Sequence, residues 1–415
     1  MVTLLLMVIY LAFISLGLPD ALLGVTWPIM QVDYAVPVSL AGVVSMVISV
    51  NTIISSVLSG RVLRRFGTGR VTFVSVLMTA TALLGFSLAP SFVWLVFLAI
   101  PLGLGAGSVD AGLNDYVAKN YEARHMNWLH SFWGVGAMSG PIIISQMISQ
   151  GTSWRSGYLT VALLQLGLAS LLFFALPLWL KVAQSKHISH TSASTPTPET
   201  DSARPKAQRS LGTMLRSLFA PLRIEGVAPV LLVFFFYCGV EWTMGLWGSS
   251  FLVRIKGIEV ADAATWVSLY YASITFGRFM SGFVTLHMSS KALIRSGELA
   301  ILAGALLLLL PLPEVFSMLS FVLIGLGCAP IFPTMLHETP ARFGSAESQN
   351  IMGFQMAVAY IGTSVLPPIF GVIASSASFA LFPLFILAYI IVMLVNSEYV
   401  NRFMHHKRHA TPPSA

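Results

Sequence analysis

The chain has 415 residues, of which 56% are hydrophobic and only 9% are charged, and its net charge is +7. Soluble domains carry about 25% charged residues, so this composition excludes a soluble protein and predicts one that crosses a membrane several times. The basic residues stand in short gaps between apolar runs, which argues against a nucleic-acid partner. The two cysteines, Cys238 and Cys328, lie inside apolar runs and predict no disulfide framework.

Twelve apolar runs follow one another along the chain, and spanning a bilayer takes about 20 such residues. The first run lacks the basic start and the cleavage site of a signal peptide, so we interpret it as a membrane helix. The runs are residues 3–28, 38–59, 71–90, 92–118, 127–150, 156–181, 226–253, 263–285, 296–311, 315–336, 348–372 and 379–399. We number these predicted spans 1 to 12 and expect an all-α membrane protein made of two six-helix bundles.

A polar segment, residues 182–225, separates the two sets of six spans. It is rich in Ser, Thr, Pro, Lys and Arg and lacks the apolar residues of a core, so it predicts a linker. The expected divisions are an N-terminal bundle (1–181), the linker (182–225), a C-terminal bundle (226–400) and a basic tail (401–415).

The distribution of basic residues predicts the orientation. Of the 23 Lys and Arg residues, Arg278 lies within span 8, and only Arg155, Arg254 and Lys256 fall in loops on the side opposite the linker. Because basic residues accumulate on the cytoplasmic side, we expect both termini in the cytoplasm and the chain in the inner (plasma) membrane.

The two sets of spans repeat each other at an offset of 222 residues. Ser59-Gly60 corresponds to Ser281-Gly282, and the same offset joins further pairs in spans 4 and 10 and in spans 5 and 11. Those pairs are Gly103 and Gly325, Gly105 and Gly327, Phe132 and Phe354, and Gly140 and Gly362. The repeat predicts two bundles related by an axis along the membrane normal, an arrangement found in secondary transporters.

Four of the sixteen acidic residues lie deep in apolar runs: Asp20 in "GLPDALLG", Asp110, Asp115 and Glu241. A charged side chain at the bilayer centre costs about 2.5–3.5 kcal/mol even on the lenient scale, so such residues are functional candidates. The alternative is a structural ion pair, yet Arg278 is the one Lys or Arg well inside a span. We predict that Asp20, Asp110 and Glu241 are proton-coupling residues, whereas Asp115 lies near the cytoplasmic end of span 4, where water reaches it.

Polar and aromatic residues near these acids predict a substrate site. Asn114 follows Asp110 by four residues and therefore shares its helix face. Tryptophans can stack on sugar rings while polar groups select the hydroxyls, although interfacial anchoring or core packing would also explain them. The predicted substrate-binding residues are Asp20, Asp110, Asn114, His130, Trp133, Glu241 and Trp247.

The loop between spans 2 and 3, "GRVLRRFGTGR", combines glycines with arginines. The glycines permit close packing and a tight turn, and the arginines can bind helix ends and anionic lipid. We predict a gating role for Gly60, Arg65, Gly67 and Arg70. For Arg278 we expect pairing with an acid or a helix end during the gating cycle.

The same loop resembles the glycine- and arginine-rich 2–3 loop of the major facilitator superfamily, with Arg64 where that family usually has Asp. The segments "VDAGLNDYV" and "LHSFWGVGA" are similar to those of the fucose:proton symporter-like sugar transporters. The resemblance implies the major facilitator fold, and it implies that Asp20 and Asp110 couple protons and bind sugar. The sequence differs at His130 and Trp133, where sugar-carrying members tend to have amide side chains.

These observations predict a secondary active transporter that takes up a sugar or similar small polar solute with protons, or with sodium as the alternative ion. The rival interpretations are a proton-coupled exporter of drugs or amphipathic compounds, a lipid flippase, and a receptor-like membrane protein. The sequence has no nucleophile–base, metal-ligand or phosphate-loop spacing, so we expect no enzyme, metal or cofactor. The expected partners are the solute, protons and membrane lipids, with the chain acting as a monomer.

Overall fold

The computed structural model describes residues 2–121, 123–191, 220–285 and 287–410, which form helices and turns without a β-strand among them. We number the helices so that each number matches its predicted span. They are α1a (Val2–Gly17), α1b (Leu22–Asp33), α2 (Leu40–Phe66), α3 (Thr68–Leu88), α4 (Phe92–Asn120), α5 (Ala123–Ser149), α6 (Trp154–Thr191), α7 (Val227–Lys256), α8 (Val260–Val284), α9 (Ser290–Leu309), α10 (Glu314–Phe343), α11 (Ser345–Ser376) and α12 (Phe382–Ala410). The predicted all-α membrane fold is confirmed, with the first span broken in two.

Several helices extend beyond the predicted limits. α6 continues to Thr191, ten residues past the expected end of the N-terminal bundle, and a short 3₁₀ helix, Ala220–Arg223, precedes α7. The linker segment 192–219 and tail residues 411–415 lie outside the described residues. In the described part of the chain, ten spans are long and apolar enough to cross a membrane, and α5 and α8 are not among them. These two helices pack against each other across the bundles, and their contacts include a hydrogen bond between the hydroxyl groups of Ser145 and Thr265.

Each six-helix bundle packs in the same pattern. In the N-terminal bundle α1a packs on α5, α4 packs on α2 and α3, and α3 packs on α6. In the C-terminal bundle α7 packs on α11, α10 packs on α8 and α9, and α9 packs on α12. The predicted repeat therefore describes how the helices contact each other, and not only which residues recur.

Glycine contacts show the same repeat at atomic detail. Gly103 of α4 lies against the carbonyl oxygen of Ile48 in α2, and Gly325 of α10 lies against the carbonyl oxygen of Tyr270 in α8. The offset of 222 residues relates the two glycines and also their two partners. The neighbouring glycines do the same, with Gly105 against Ser75 of α3 and Gly327 against Gly297 of α9.

The break in the first span results from Pro19. Proline has no N–H, so the carbonyl of Ser15, four residues earlier, loses its helical donor. The buried amide of Gln165 in α6 replaces it, donating from Nε2 to the Ser15 oxygen at 2.7 Å, and the Thr79 hydroxyl donates to Gln165 Oε1 at 2.8 Å. Because an unsatisfied backbone group in hydrocarbon costs several kcal/mol, this amide stabilises the break. The interruption leaves Asp20 at the junction of α1a and α1b.

Glycines bring α5 close to the broken span. Gly17 lies against the backbone of Trp133, and Gly136 and Gly140 lie against the carbonyl oxygens of Ile14 and Leu18. A Cβ atom at any of these three positions would overlap backbone atoms of the other helix. Small residues permit such close approach between membrane helices, and here they hold the backbone of α5 against the segment that carries Asp20.

The two bundles contact each other mainly at the end that carries the α1–α2, α5–α6, α7–α8 and α11–α12 connections, which we name the closed end. Ser145 of α5 donates to the carbonyl of Ala261 at 2.8 Å, and Ser268 of α8 donates to the carbonyl of Met138 at 2.8 Å. Gly24 lets α1b lie close against α7. At the opposite end, which we name the termini end, α1a packs on helices of its own bundle.

Gly136→Ala is expected to lower the melting temperature, because the added methyl group overlaps the Ile14 carbonyl and pushes α5 away from α1a. A glycine-to-alanine change within a helix otherwise stabilises by about 0.5–1 kcal/mol. The matched control is Gly167→Ala in α6, where nothing lies within 4 Å of the new methyl. Thermal unfolding of the two purified variants makes the comparison, and a Gly136→Ala protein as stable as Gly167→Ala would contradict the close packing.

Candidate functional site

Polar side chains meet midway along the helices, where the two bundles face each other, and Trp133 of α5 lies among them. Its indole N–H donates to Oδ2 of Asp20 at 2.7 Å. The guanidinium carbon of Arg278, in α8 of the other bundle, lies 5.3 Å from the centre of the Trp133 ring, within cation–π range. The edge-to-face contact with Tyr271, at 6.4 Å between ring centres, also crosses the interface. Trp133 therefore contacts an acid of one bundle and a base of the other.

Arg278 forms an ion pair inside the C-terminal bundle. Its guanidinium lies 2.9 Å from Oε1 of Glu241 in α7 and 3.3 Å from the hydroxyl oxygen of Tyr237, to which it donates. The two paired side chains are only 16% and 10% exposed. The acid partner that the sequence left unnamed for Arg278 is thus Glu241, and the pair lies in the central cluster, while a role of Arg278 in gating stays a prediction.

Asp110 of α4 is held by hydrogen bonds from both bundles. Asn114, one turn further along α4, donates to Asp110 Oδ1 at 2.8 Å, as the shared helix face predicts. The hydroxyl of Tyr360, in α11 of the other bundle, donates to Oδ2 at 3.3 Å. Sequence reasoning missed Tyr360, because a tyrosine in an apolar run looks like any other packing residue.

The charges in this cluster do not balance. In the part of the chain that the structure describes, the carboxyl groups of Asp20, Asp110 and Glu241 share one guanidinium, and that guanidinium contacts Glu241. Asp20 and Asp110 are instead held by the neutral donors of Trp133, Asn114 and Tyr360. Neutral donors stabilise a carboxylate without cancelling its charge, so both groups can take up a proton without breaking an ion pair.

The predicted site residues on the termini-end side of the cluster are more open. His130 precedes Trp133 by about one turn on α5, is exposed, and contacts the Phe13 ring edge-on with 5.9 Å between ring centres. Asp115 is exposed as well, in agreement with the solvated position expected for it. His130 therefore lies at an open edge of the cluster, one turn from Trp133.

The structure places Trp247 outside this cluster. It is fully buried, its indole N–H donates to the carbonyl of Pro367 at 2.7 Å, and its ring packs on Phe370 and Phe379 within the C-terminal bundle. An indole that is surrounded on both faces cannot stack on a sugar ring. The structure therefore does not bring Trp247 together with the other predicted substrate-binding residues, and core packing explains its position.

The predicted gating loop forms the turn between α2 and α3 at the termini end. Gly67 adopts a φ of 79°, the left-handed conformation that a tight turn requires of glycine, while Arg65 and Arg70 are exposed. Gly60 was expected to permit close packing, but a Cβ atom there would meet only the end of the Arg64 side chain. The close contact belongs to Gly69, which lies against the ring of Trp179.

Comparison with known sequences adds a family and several relatives. A sequence model of the Major Facilitator Superfamily matches residues 9–367. Bypass of stop codon protein 6 of Saccharomyces cerevisiae is 22% identical over 93% of this chain and 80% of its own length. The glucose/mannose transporter GlcP of Bacillus subtilis is 23% identical over 66% of this chain and 64% of its own. The hexuronate transporter of the same bacterium is 24% identical over 71% and 67%.

Solved structures share the fold along nearly the whole chain. The nucleoside transporter NupG superposes with a TM-score of 0.71 at 15% identity, covering 95% of this chain and 98% of that one. The D-xylose-proton symporter superposes with a TM-score of 0.68 at 13% identity, covering 94% and 96%. At these identities the likeness shows the fold and not the substrate.

Arg278→Ala is expected to destabilise the protein, because it leaves the Glu241 carboxylate buried without its partner. Removing one member of a buried ion pair typically costs about 3–5 kcal/mol, whereas the double change Arg278→Met with Glu241→Leu should recover most of the loss. The control is Arg295→Ala, which breaks the Arg295–Glu398 pair, 2.9 Å long with Arg295 51% exposed. Exposed pairs contribute about 0–1 kcal/mol, so thermal unfolding of Arg278→Ala no lower than that of Arg295→Ala would contradict this assignment.

Proposed function

Because the chain belongs to the Major Facilitator Superfamily, we propose that it is a proton-coupled transporter of an uncharged, hydroxylated solute of the sugar class. Membership of the family makes it a multi-pass membrane transporter rather than an enzyme. The observation that carries the finer proposal is the pair of carboxyl groups, Asp20 and Asp110, which lie at the bundle interface and accept hydrogen bonds from neutral donors among the described residues.

The two carboxyl groups supply the proton coupling. A carboxylate at the interface of two apolar bundles is costly when charged, and a proton removes that cost. A proton bound there changes the relative stability of two conformations, one in which the cluster is closed to water and one in which water reaches it. Protonation therefore shifts the population between them. Each group also touches a residue that links the bundles, since Trp133 holds Asp20 and Tyr360 of α11 holds Asp110.

The ion pair of Arg278 favours an uncharged solute. The guanidinium charge is already balanced by Glu241, so among the described side chains of the cluster no further Lys or Arg is placed to bind a carboxylate or phosphate group. Hydroxyl groups instead find donors and acceptors in Asn114, Tyr360, His130 and the two aspartates. The names of the two Bacillus subtilis relatives refer to glucose, mannose and hexuronate, and the charge argument favours a neutral sugar over a hexuronate.

We further propose that the termini end faces the cytoplasm of a cell whose plasma membrane holds the monomeric protein. Support comes from the excess of basic residues on that side, which is typical of cytoplasmic loops. The closed end then faces outward, and the conformation described here opens to the cytoplasm. The exposed Arg65 and Arg70, at the α2–α3 turn, are placed to meet anionic lipid or the other bundle when the termini end closes.

Asp20→Asn and Asp110→Asn are each expected to abolish proton-driven accumulation of solute while retaining part of the exchange of solute across the membrane. The assay uses the purified chain in proteoliposomes with a pH gradient and labelled glucose, mannose or xylose. Asp115→Asn, an exposed position on the same helix as Asp110, is the matched control and should accumulate normally. Unchanged accumulation in both interface variants, or accumulation driven by sodium alone, would refute proton coupling by these residues.

Asn114→Ala should weaken sugar binding about tenfold or more, because it leaves a buried polar partner unpaired at a cost of about 1–3 kcal/mol. The ligand-induced rise in melting temperature reports binding, with the same sugars and with glucuronate. A lipophilic cation serves as the probe for the exporter alternative, since such a compound needs aromatic surface but no amide. Sugars without effect on the native chain, together with stabilisation by the cation, would favour the exporter.

A further inference from the structure

We propose that Trp133 is a positioning residue that transmits the protonation state of Asp20, in the N-terminal bundle, to the Arg278–Glu241 pair in the C-terminal bundle. The inference rests on the proposed function in one respect, namely that Asp20 gains and loses a proton. It goes beyond that function because it assigns the path by which one bundle senses a proton bound in the other.

The first step is geometric. The edge of the Trp133 indole contacts Asp20 through a 2.7 Å hydrogen bond, and its face contacts Arg278 at 5.3 Å. An indole is a rigid plane, so the N–H group and the ring face move together. A displacement at the Asp20 contact must therefore also change the Arg278 contact.

The second step concerns the strength of the hydrogen bond. A bond to a charged carboxylate is roughly twice as strong as a bond to a neutral acceptor. Protonation of Asp20 therefore weakens its hold on the indole N–H. The guanidinium lies close to the limit of about 6 Å for an appreciable cation–π interaction, so a small ring movement removes much of it. Arg278 then depends on Glu241 and Tyr237 alone.

The third step is that the backbone of α5 cannot absorb the change. The Trp133 backbone lies directly against Gly17, and Gly136 lies directly against Ile14, with no room for a methyl group at either glycine. The side chain is consequently the part that responds. Trp133 is also not a scaffold residue common to both bundles, because the repeat offset places the fully buried Gln355 at the equivalent position.

Direct electrostatic interaction is the competing explanation. Ionisable side chains face Asp20 and its partners from several helices, and some lie close enough to interact with it through space. They are Asp110 of α4, His130 of α5, Glu241 of α7, and Tyr271 and Arg278 of α8. A through-space effect would not require Trp133, which makes the two explanations separable.

The test uses hydrogen–deuterium exchange of the full-length protein in lipid nanodiscs, with Asp20→Asn as the neutral form of Asp20. In the native background, Asp20→Asn should change the exchange rate of peptides around Glu241 in α7 and Arg278 in α8 by at least about threefold. In a Trp133→Leu background the same substitution should leave those peptides unchanged. A Trp133→Phe background, which keeps a ring over Arg278 but lacks the N–H donor, should also lose the response.

The matched control is Trp179→Leu, which removes a tryptophan of the same bundle that packs on Tyr116 and Gly69, away from the cluster. In that background the response to Asp20→Asn should remain. A response that persists in both Trp133 variants would show that the charge acts through space and would overturn the proposal. Absence of any response in the native background would overturn it as well.

The exchange measurement needs no substrate, so its outcome is independent of the transport assays. If no sugar is transported while the exchange response still requires Trp133, the role of Trp133 is supported and the proposed function is refuted. If transport is proton-driven but the response ignores Trp133, the proposed function stands and the role of Trp133 is refuted. Trp133→Phe retains most of the side-chain volume, which keeps the test available if Trp133→Leu does not fold.

Discussion

A carbonyl group inside the hydrocarbon has no water to bind, and Pro19 leaves the carbonyl of Ser15 without its helical donor. Gln165 of α6 donates to this carbonyl oxygen at 2.7 Å, and the hydrogen bond stabilises the broken first span. The break gives the two parts of the first span different neighbours, because α1a packs within its own bundle while α1b packs on α7 and α8 of the other bundle. Asp20 lies at the junction of α1a and α1b. The position of this acid and its contact with Trp133 therefore depend on the break in the first span.

The scaffold of the protein is repeated but its chemistry is not. Glycine contacts recur at an offset of 222 residues, yet the same offset takes Asp20 to Trp242, Asp110 to Phe332 and Trp133 to Gln355. The N-terminal bundle supplies Asp20 and Asp110, which the described residues bind through neutral donors, and the C-terminal bundle supplies Arg278 with its acid and the hydroxyl of Tyr360. Two bundles with the same helix packing thus carry different side chains at their interface.

Much of the fold could be predicted from the sequence, since the length of an apolar run and its repeat at a fixed offset determine the spans and their pairing. The contact of Asp110 with Asn114 was equally predictable, because helix geometry alone brings such residues together. Partners in other helices were not predictable in this way. The apolar residues of span 7 are spread over all faces of the helix. The sequence pattern therefore does not predict that Glu241 faces the interface while Trp247 faces the core. For the same reason the sequence pointed to Gly60 for close packing, whereas the structure uses Gly69.

The contacts that hold the closed end together have a physical consequence for its response to the surrounding solution. Ser145 with Ala261, Ser268 with Met138, and Gly24 with α7 join the bundles through hydroxyl groups, backbone carbonyls and close packing. Dissolved ions largely screen interactions between exposed charges that lie more than about 10 Å apart at 0.1 M ionic strength, but they act little on neutral contacts of this kind. Contacts made in this way keep their strength in dilute and in saline media alike, so the ionic strength of the solution at the closed end should have little effect on how readily that end opens.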